Sequence, residues 1–120
     1  MISSTIAMAS QHARLIDPRT SLLPVTALQF LGDAVSMRVL VALSTKEQRF
    51  GDLSTLVSRT STKTLSARLK RLANAGLVTR TLYAEVPPRA EYALTDKGRE
   101  LLAIVQGISD WERSWRPENT

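Results

Sequence analysis

The 120-residue chain is predicted to fold as a mainly helical α+β domain, in which two helices joined by a short turn are followed by a two-stranded β-hairpin. Three stretches predict this fold. Leucines recur at helical spacing between residues 60 and 75, strand-like runs flank a Pro-Pro loop between residues 77 and 95, and a long apolar helix follows. The composition indicates a single globular domain, because 43% of the residues are apolar and 22% are charged.

The first 24 residues form a Ser/Thr-rich segment with weak periodicity, which we interpret as an N-terminal arm or a short helix over residues 7–16. From Val25 to Leu43, apolar residues occupy two neighbouring helical registers, so this helix is predicted to be buried over a wide arc. Gly32 interrupts it, and either splits it or allows a close packing contact. A helix that is buried over so wide an arc packs either against the rest of the domain alone or against a second subunit as well.

A polar turn follows and leads to a short predicted strand at Arg49-Phe50. The next helix is predicted from Asp52 to Val57, with Leu53, Leu56 and Val57 facing inward. Together with the helix that comes after it, this stretch has the layout of a helix-turn-helix.

That second helix carries the clearest amphipathic pattern in the chain. Thr60 or Ser61 is predicted to cap it, since a hydroxyl can accept from the free N–H groups of the first turn, and Gly76 is predicted to end it. Its apolar stripe consists of Leu65, Leu69, Leu72 and Ala73. Its opposite face carries Lys63, Ala67, Lys70 and Arg71, with Thr64 and Ser66 at the margins.

Positive charge is concentrated on this helix and the hairpin. Residues 59–89 contain seven Lys or Arg against one acid, Glu85, for a net charge of +6, while the whole chain carries +5. A helix that is fixed to a core on one side and is basic on the other suits the major groove of DNA. We therefore expect a winged helix-turn-helix. The candidates for base contacts are Thr62, Lys63, Thr64 and Ala67, and those for phosphate contacts are Lys63, Lys70, Arg71, Arg80 and Arg89.

The hairpin is predicted from the runs LVTRTLY and EYALT, joined by the loop AEVPPRA, whose prolines cannot continue a strand ladder. Arg89 follows these prolines, where it can reach a phosphate or the minor groove. The alternative is that Arg89 caps a turn or pairs with Glu91. Thr95 is predicted to cap a last helix that runs to about Trp111, and residues from 116 onward are interpreted as a tail.

The composition excludes several classes of function. The chain contains no cysteine, so disulfides, thiolate metal sites and thiol redox sensing are not expected. One histidine, His12, and no clustered carboxylates leave no catalytic or metal constellation, so we expect neither an enzyme nor a cofactor. No apolar run approaches the roughly 18 residues of a membrane span, and we expect a cytoplasmic protein. The open alternatives are a winged-helix adaptor for an acidic protein and a non-specific DNA-binding protein.

Four runs of this sequence together resemble the HxlR-type branch of the MarR-like winged helix-turn-helix transcriptional regulators. The resemblance rests on RFGDL, TSTKTLSARLKRL, GLVTR and VPPRAEYALTDKGREL, and it covers roughly Phe30 to Trp111. It implies DNA-binding roles for Ser61, Thr62, Lys63, Thr64, Arg68 and the wing residue Arg89. On a helical wheel Arg68 lies on the flank of its helix, where it braces either a phosphate or an acidic neighbour.

The resemblance also implies a homodimer that reads a two-fold symmetric double-stranded DNA operator, with an effector of unknown identity. Dimerisation is implied through the terminal helices of a domain over residues 25–115. The residues expected at this interface are Leu28, Leu31, Val35, Leu101, Ile104, Val105, Ile108, Trp111 and Trp115.

A ligand pocket between Trp111 and the first helix is the alternative to simple packing of the tryptophan side chains. Val35 stands where the family usually has tryptophan, and the absence of cysteine removes the family's cysteine-oxidation mechanism.

Overall fold

The computed structural model describes residues 25–116, which form helices around a small antiparallel sheet. In chain order the elements are α1 (Val25–Leu31), α2 (Ala34–Ala42), β1 (Gln48–Arg49), α3 (Phe50–Leu56), α4 (Thr62–Asn74), β2 (Val78–Tyr83), β3 (Arg89–Leu94) and α5 (Asp96–Ser114). The expectations for residues 1–24, including His12, and for most of the tail lie outside the described residues. Within residues 25–116, no helix is long and apolar enough to cross a bilayer.

The helix predicted from Val25 to Leu43 is split in two. Gly32 and Asp33 separate α1 from α2, which confirms one of the two alternatives for Gly32. The start of α2 is stabilised because the Asp33 carboxylate accepts from the Ser36 N–H at 3.2 Å. The fully buried residues of α2 are Ser36, Val39 and Leu40.

Helix α3 begins at Phe50 rather than at Asp52, and the short strand before it lies one residue earlier than predicted. Leu53 and Val57 are buried as predicted, because residues four apart lie on the same face of a helix. Leu56 is 57% exposed, so its predicted inward orientation is wrong for this chain. It lies at the edge of the face that Leu53 and Val57 turn to the core.

Helix α4 confirms the predicted amphipathic pattern. The Ser61 hydroxyl accepts from the Thr64 N–H at 3.1 Å and caps the helix. Leu65, Leu69 and Leu72 are fully buried in the core. At its other end Gly76 has a φ of 77°, and the Leu77 N–H donates to the Leu72 carbonyl at 2.9 Å, which closes the helix in a Schellman motif.

The predicted hairpin is present and is joined by a third strand. β2 and β3 are antiparallel, and their loop contains a cis bond between Val86 and Pro87. β1 pairs with the other edge of β3, so the strand order is β1-β3-β2. Because β1 leads directly into α3, this pairing attaches the helix-turn-helix to the wing. Gln48 of β1 is buried, and its amide donates to the Ala42 carbonyl at 3.4 Å.

Helix α5 begins as predicted, with the Thr95 hydroxyl accepting from the Gly98 N–H at 3.0 Å, and runs past Trp111 to Ser114. Its first turn is pressed against the base of the wing. A Cβ atom added at Gly98 would lie 2.2 Å from the Leu77 carbonyl oxygen, a distance at which the two atoms overlap. Only a glycine at this position allows α5 to approach so closely.

Candidate nucleic-acid interface

The exposed face of α4 carries most of the residues expected to read bases. Thr62, Lys63 and Ala67 are exposed, and Thr64 is half-buried. The Ser61 hydroxyl both accepts from the Thr64 N–H and donates to the Thr64 hydroxyl, the latter at 3.0 Å. Ser61 and Thr64 therefore hold the start of the helix, while Thr62, Lys63 and Ala67 remain on the open surface.

A groove, which we call the helix–wing groove, separates α4 from the wing. Its volume is about 450 Å³, and it is lined by Ser66, Leu69, Lys70, Ala73, Asn74, Arg80 and Tyr92. Arg80 lies opposite Tyr92 in the β2–β3 ladder, so both side chains are on the sheet face that is turned to α4. Lys70 and Arg80 thus bring cations from two different elements to one groove.

Five of the seven Lys and Arg in residues 59–89 are exposed and make no ion pair with any residue in the described range 25–116. They are Arg59, Lys63, Lys70, Arg71 and Arg80. Since no carboxylate within this range neutralises them, their charge is open to a polyanion such as the phosphate backbone of DNA.

Arg68 lies on the flank of α4 and contacts an acidic neighbour. Its Nε donates to Asp33 Oδ2 at 2.7 Å, and both side chains are partly buried. Burial raises the pKa of the Asp33 carboxyl, but hydrogen bonds from Ser36 and Arg68 outweigh this effect and hold that pKa below its ordinary value. Of the two roles left open for Arg68, the structure shows the contact with an acid.

Arg71 lies on the same flank of α4, one turn further along. Its guanidinium carbon is 5.4 Å from the centroid of the Phe30 ring in α1, within the range of a cation–π contact. The Arg71 side chain is nevertheless exposed. It can therefore rest on α1 and still present its charge to a phosphate.

Arg89 is held within the wing. Its guanidinium carbon lies 4.1 Å from the Tyr83 ring centroid, its Nη2 is 3.2 Å from Glu85, and its Nη1 is 3.8 Å from Glu91. Its Nε is buried and has no hydrogen-bond partner among the described residues. Pairing with Glu91 was one of the alternatives for this residue, and it is present. A contact between Arg89 and DNA would require the guanidinium to leave two carboxylates.

Folding brings acids to the basic surface that the local charge count did not include. Residues 59–89 contain only Glu85, but Asp33 reaches Arg68 across 35 positions of sequence and Glu91 reaches Arg89. An aspartate just after a helix-breaking glycine indicates a helix cap, which Asp33 is. The same signal does not indicate its ion pair with α4, and sequence reasoning therefore missed Asp33.

The residues expected at a dimer interface divide into two groups. Partly buried are Leu31, Val35, Leu101 and Val105, and exposed are Leu28, Ile104, Ile108, Trp111 and Trp115. A cleft of about 340 Å³ lies between α1 and the start of α5, with Phe30 and Leu101 among its lining residues. Trp111 is not among the residues that line this cleft.

A comparison with protein families matches residues 30–120 to the model described as HxlR-like helix-turn-helix. An uncharacterized HTH-type transcriptional regulator of Methanothermobacter thermautotrophicus is 30% identical over 89 residues, which are 74% of this chain and 68% of that protein.

Solved structures agree with this match. The reduced form of the transcriptional regulator YodB from Bacillus subtilis superposes with a TM-score of 0.70 at 28% identity, over 78% of this chain and 91% of YodB. A MarR-family transcriptional regulator from Enterococcus faecalis V583 gives a TM-score of 0.72 at 27% identity, over 82% of this chain and 88% of that one. The fold is thus that of winged helix-turn-helix regulators, and the chain belongs to the HxlR-like helix-turn-helix family of transcriptional regulators.

Proposed function

We propose that this chain is a dimeric, sequence-specific DNA-binding protein that represses transcription from a two-fold symmetric operator. The observation that carries the proposal is the division of α4 into two faces. Leu65, Leu69 and Leu72 bury one face completely, so the opposite face is presented on a rigid base. An α-helix with a basic exposed face fits the width of the major groove.

Roles follow from the exposure and charge of each residue. Thr62, Lys63 and Ala67 are assigned to base edges, because they occupy the open surface at the start of α4. Lys70 and Arg80 are assigned to phosphates, because they line the helix–wing groove without an acidic partner in residues 25–116. Arg89 is assigned to the shape of the wing, because Glu85 and Glu91 already hold it.

The exposed stripe of α5 supports the dimer. Trp111 and Trp115 are 67% and 76% exposed, and Ile104 and Ile108 lie on the same helix with about half of each side chain in solvent. Apolar side chains at this density on one surface indicate a protein–protein interface. A second copy of α5 is a partner with a matching stripe, and it would supply the second half of a symmetric reader.

The signal to which the protein responds is proposed to be a ligand, a partner or its own concentration. YodB has been solved in a reduced form. This chain has no cysteine, so the proposed signal does not depend on the oxidation of a thiol. We assign the chain no catalytic role, and we place it in the cytoplasm, where a bacterial or archaeal operator would be found.

Fluorescence anisotropy tests the proposal directly. The protein is titrated against a duplex from its own promoter region and against a scrambled duplex, across a series of salt concentrations. We expect a preference of about 100-fold or more for the promoter duplex, and a steep loss of affinity as salt rises. Binding that is weak and equal on both duplexes would favour the winged-helix adaptor, and the search would move to an acidic protein partner.

Substitution of Lys63 tests the assignment of bases. Lys63→Ala is expected to cost about 1–3 kcal/mol on the promoter duplex and much less on the scrambled one, because a lost base contact removes discrimination. Arg99→Ala is the charge-matched control, since Arg99 is exposed in the first turn of α5 and is not among the residues assigned to DNA. Equal losses on both duplexes for Lys63→Ala would show that Lys63 contacts phosphate only.

A further inference from the structure

The carboxylate of Asp33 joins two parts of the fold that are distant in sequence. Asp33 lies in the break between α1 and α2, and its Oδ2 accepts from the Ser36 N–H, from the Ser36 hydroxyl and from Arg68 Nε. Two of these bonds belong to the cap of α2. The third reaches α4, so a single oxygen atom attaches the helix that carries the DNA-facing side chains to the α1–α2 junction.

The pair is shielded enough to be a directional contact rather than a loose surface pair. The side chains of Asp33 and Arg68 are 20% and 30% exposed. Exposed ion pairs contribute little because water screens them, whereas a partly buried charge that loses its partner is costly. The Nε–H bond of 2.7 Å also has a defined direction, since the guanidinium plane fixes where its donors point.

The position of Arg68 on α4 determines what this contact can control. Arg68 lies between the buried stripe of α4 and its exposed face, and Arg71 on the same flank rests on Phe30 of α1. Leucine packing holds α4 against the core but is not directional. A helix with its side chains is about 10–12 Å across, so a rotation of about 10° about its axis moves the outer atoms by about 1 Å. A shift of that size is enough to disturb hydrogen bonds to base edges.

We propose that Arg68 is a positioning residue whose ion pair with Asp33 sets the rotation of α4 about its own axis, so that an acid near the DNA-facing surface is required for operator preference. This inference rests on the proposed function of α4 as a reader of DNA. It reassigns Arg68 from the DNA contacts to the support of Thr62, Lys63 and Ala67.

The proposal predicts an effect opposite to that of simple electrostatics. Removing an acid near a DNA-binding surface should tighten binding to all DNA, because the net positive charge rises. We expect Asp33→Asn instead to weaken binding to the promoter duplex about 10-fold or more, while binding to the scrambled duplex is unchanged or tighter. Asparagine caps a helix as well as aspartate does, so this variant keeps the start of α2 and removes mainly the charge that holds Arg68. Asp52→Asn, which removes an exposed charge from α3, is the matched control and should not weaken promoter binding.

Variants of Arg68 separate positioning from phosphate contact. Arg68→Gln is expected to reproduce the loss seen with Asp33→Asn, and the double variant should be no worse than Arg68→Gln alone, since both changes remove one interaction. Arg68→Lys keeps the charge but not the planar Nε donor, so positioning predicts a clear loss of promoter preference. A phosphate contact would instead leave Arg68→Lys close to wild type, lower the salt slope of Arg68→Gln by about 0.9, and leave Asp33→Asn harmless. That pattern would overturn the proposal.

Amide hydrogen exchange on the free protein makes the test independent of DNA. Asp33→Asn and Arg68→Lys are expected to raise exchange in the first turns of α4 and to leave the β2–β3 ladder unchanged. Unchanged exchange in α4 would overturn the positioning role. If the wild-type protein shows no promoter preference, the proposed function has failed, and the exchange experiment still decides whether the ion pair positions α4.

Discussion

Helices α4 and α5 are both amphipathic, and they differ in where their apolar stripes find a partner. In α4, Leu65, Leu69 and Leu72 are at most 1% exposed, and the core of this chain covers them. In α5, Gly98 is the only buried residue, and the second half of the stripe lies in solvent. An apolar stripe at helical spacing thus predicts that a helix face will be covered, but not that the same chain will cover it.

Structural context explains the difference. Helix α4 lies between α2 and the wing, so its stripe meets side chains from elements on both sides. Helix α5 contacts the domain at its first turns, through Gly98 and the partly buried Leu101 and Leu102, and then continues beyond the elements that residues 25–116 supply to cover it. Helix α4 therefore contributes to the stability of the monomer, whereas the distal part of α5 leaves apolar side chains exposed, which the proposed dimer would bury.

The largest effect on the unfolding free energy of the isolated chain is expected from α4. Leu69→Ala should destabilise the fold by about 2–5 kcal/mol, because it removes a fully buried side chain and leaves a cavity. Urea unfolding monitored by circular dichroism measures this value, and the loss should not depend on protein concentration. Leu69→Met, which conserves volume, is the control and should cost less than about 1.5 kcal/mol.

The first turn of α5 is the exception within that helix, and Gly98 tests it. Gly98→Ala should cost about 1–3 kcal/mol, because its Cβ would overlap the Leu77 carbonyl oxygen and lie 2.7 Å from a Leu94 methyl carbon. Gly107 lies in the same helix, and a Cβ atom added there would meet no neighbouring atom of the described residues within 4 Å. Gly107→Ala is therefore expected to stabilise the chain by up to about 1 kcal/mol. Equal effects at the two glycines would remove the distinction between the attached and the free part of α5.

The smallest effect on the isolated chain is expected from the distal stripe. Trp111→Ala should change the unfolding free energy by less than about 0.5 kcal/mol at concentrations where the protein is monomeric, because most of the side chain is exposed and buries little surface in the monomer. Self-association should weaken about 30-fold, which corresponds to the roughly 2 kcal/mol of an interfacial tryptophan. Sedimentation equilibrium measures the dimer constant. A Trp111→Ala protein that associates like wild type would place the dimer contact elsewhere.

Periodicity and capping signals were enough to predict most of the fold. The Ser61 cap, the leucine stripe of α4, the turn at Gly76 and the Thr95 cap are local features, each decided within a few residues. The orientation of Leu56 was not predictable in the same way, because α3 is short and its inward face depends on where α2 and the sheet lie. The third strand was missed as a partner of β3 for the same reason, since two residues carry no periodicity of their own.

The candidate site was predictable for side chains that point to solvent, and less so for those with tertiary partners. Lys63, Lys70 and Arg80 lie on the exposed surface, where a helical wheel and strand alternation suffice to place them. Arg68 differs because its partner, Asp33, reaches it only through the packing of α4 on the α1–α2 junction. A count of charges along the sequence cannot anticipate such a pair, whereas Arg89 and Glu91 lie two residues apart in one strand and their pairing was one of the expected alternatives.

The length of α5 has a consequence for the operators that a dimer could accept. Its 19 residues span about 28 Å at 1.5 Å per residue, and its first turn is fixed to the base of the wing. If the two copies of α5 pair along their stripes in the proposed dimer, this span would affect the separation of the two copies of α4, while half-sites on one side of B-DNA recur about every 34 Å. An added residue in α5 would rotate the part of the helix beyond it by about 100°. The two copies of α4 would then no longer face successive half-sites on the same side of the double helix. Changes in a helix to which we assign no DNA contact would then affect how far apart two half-sites must be.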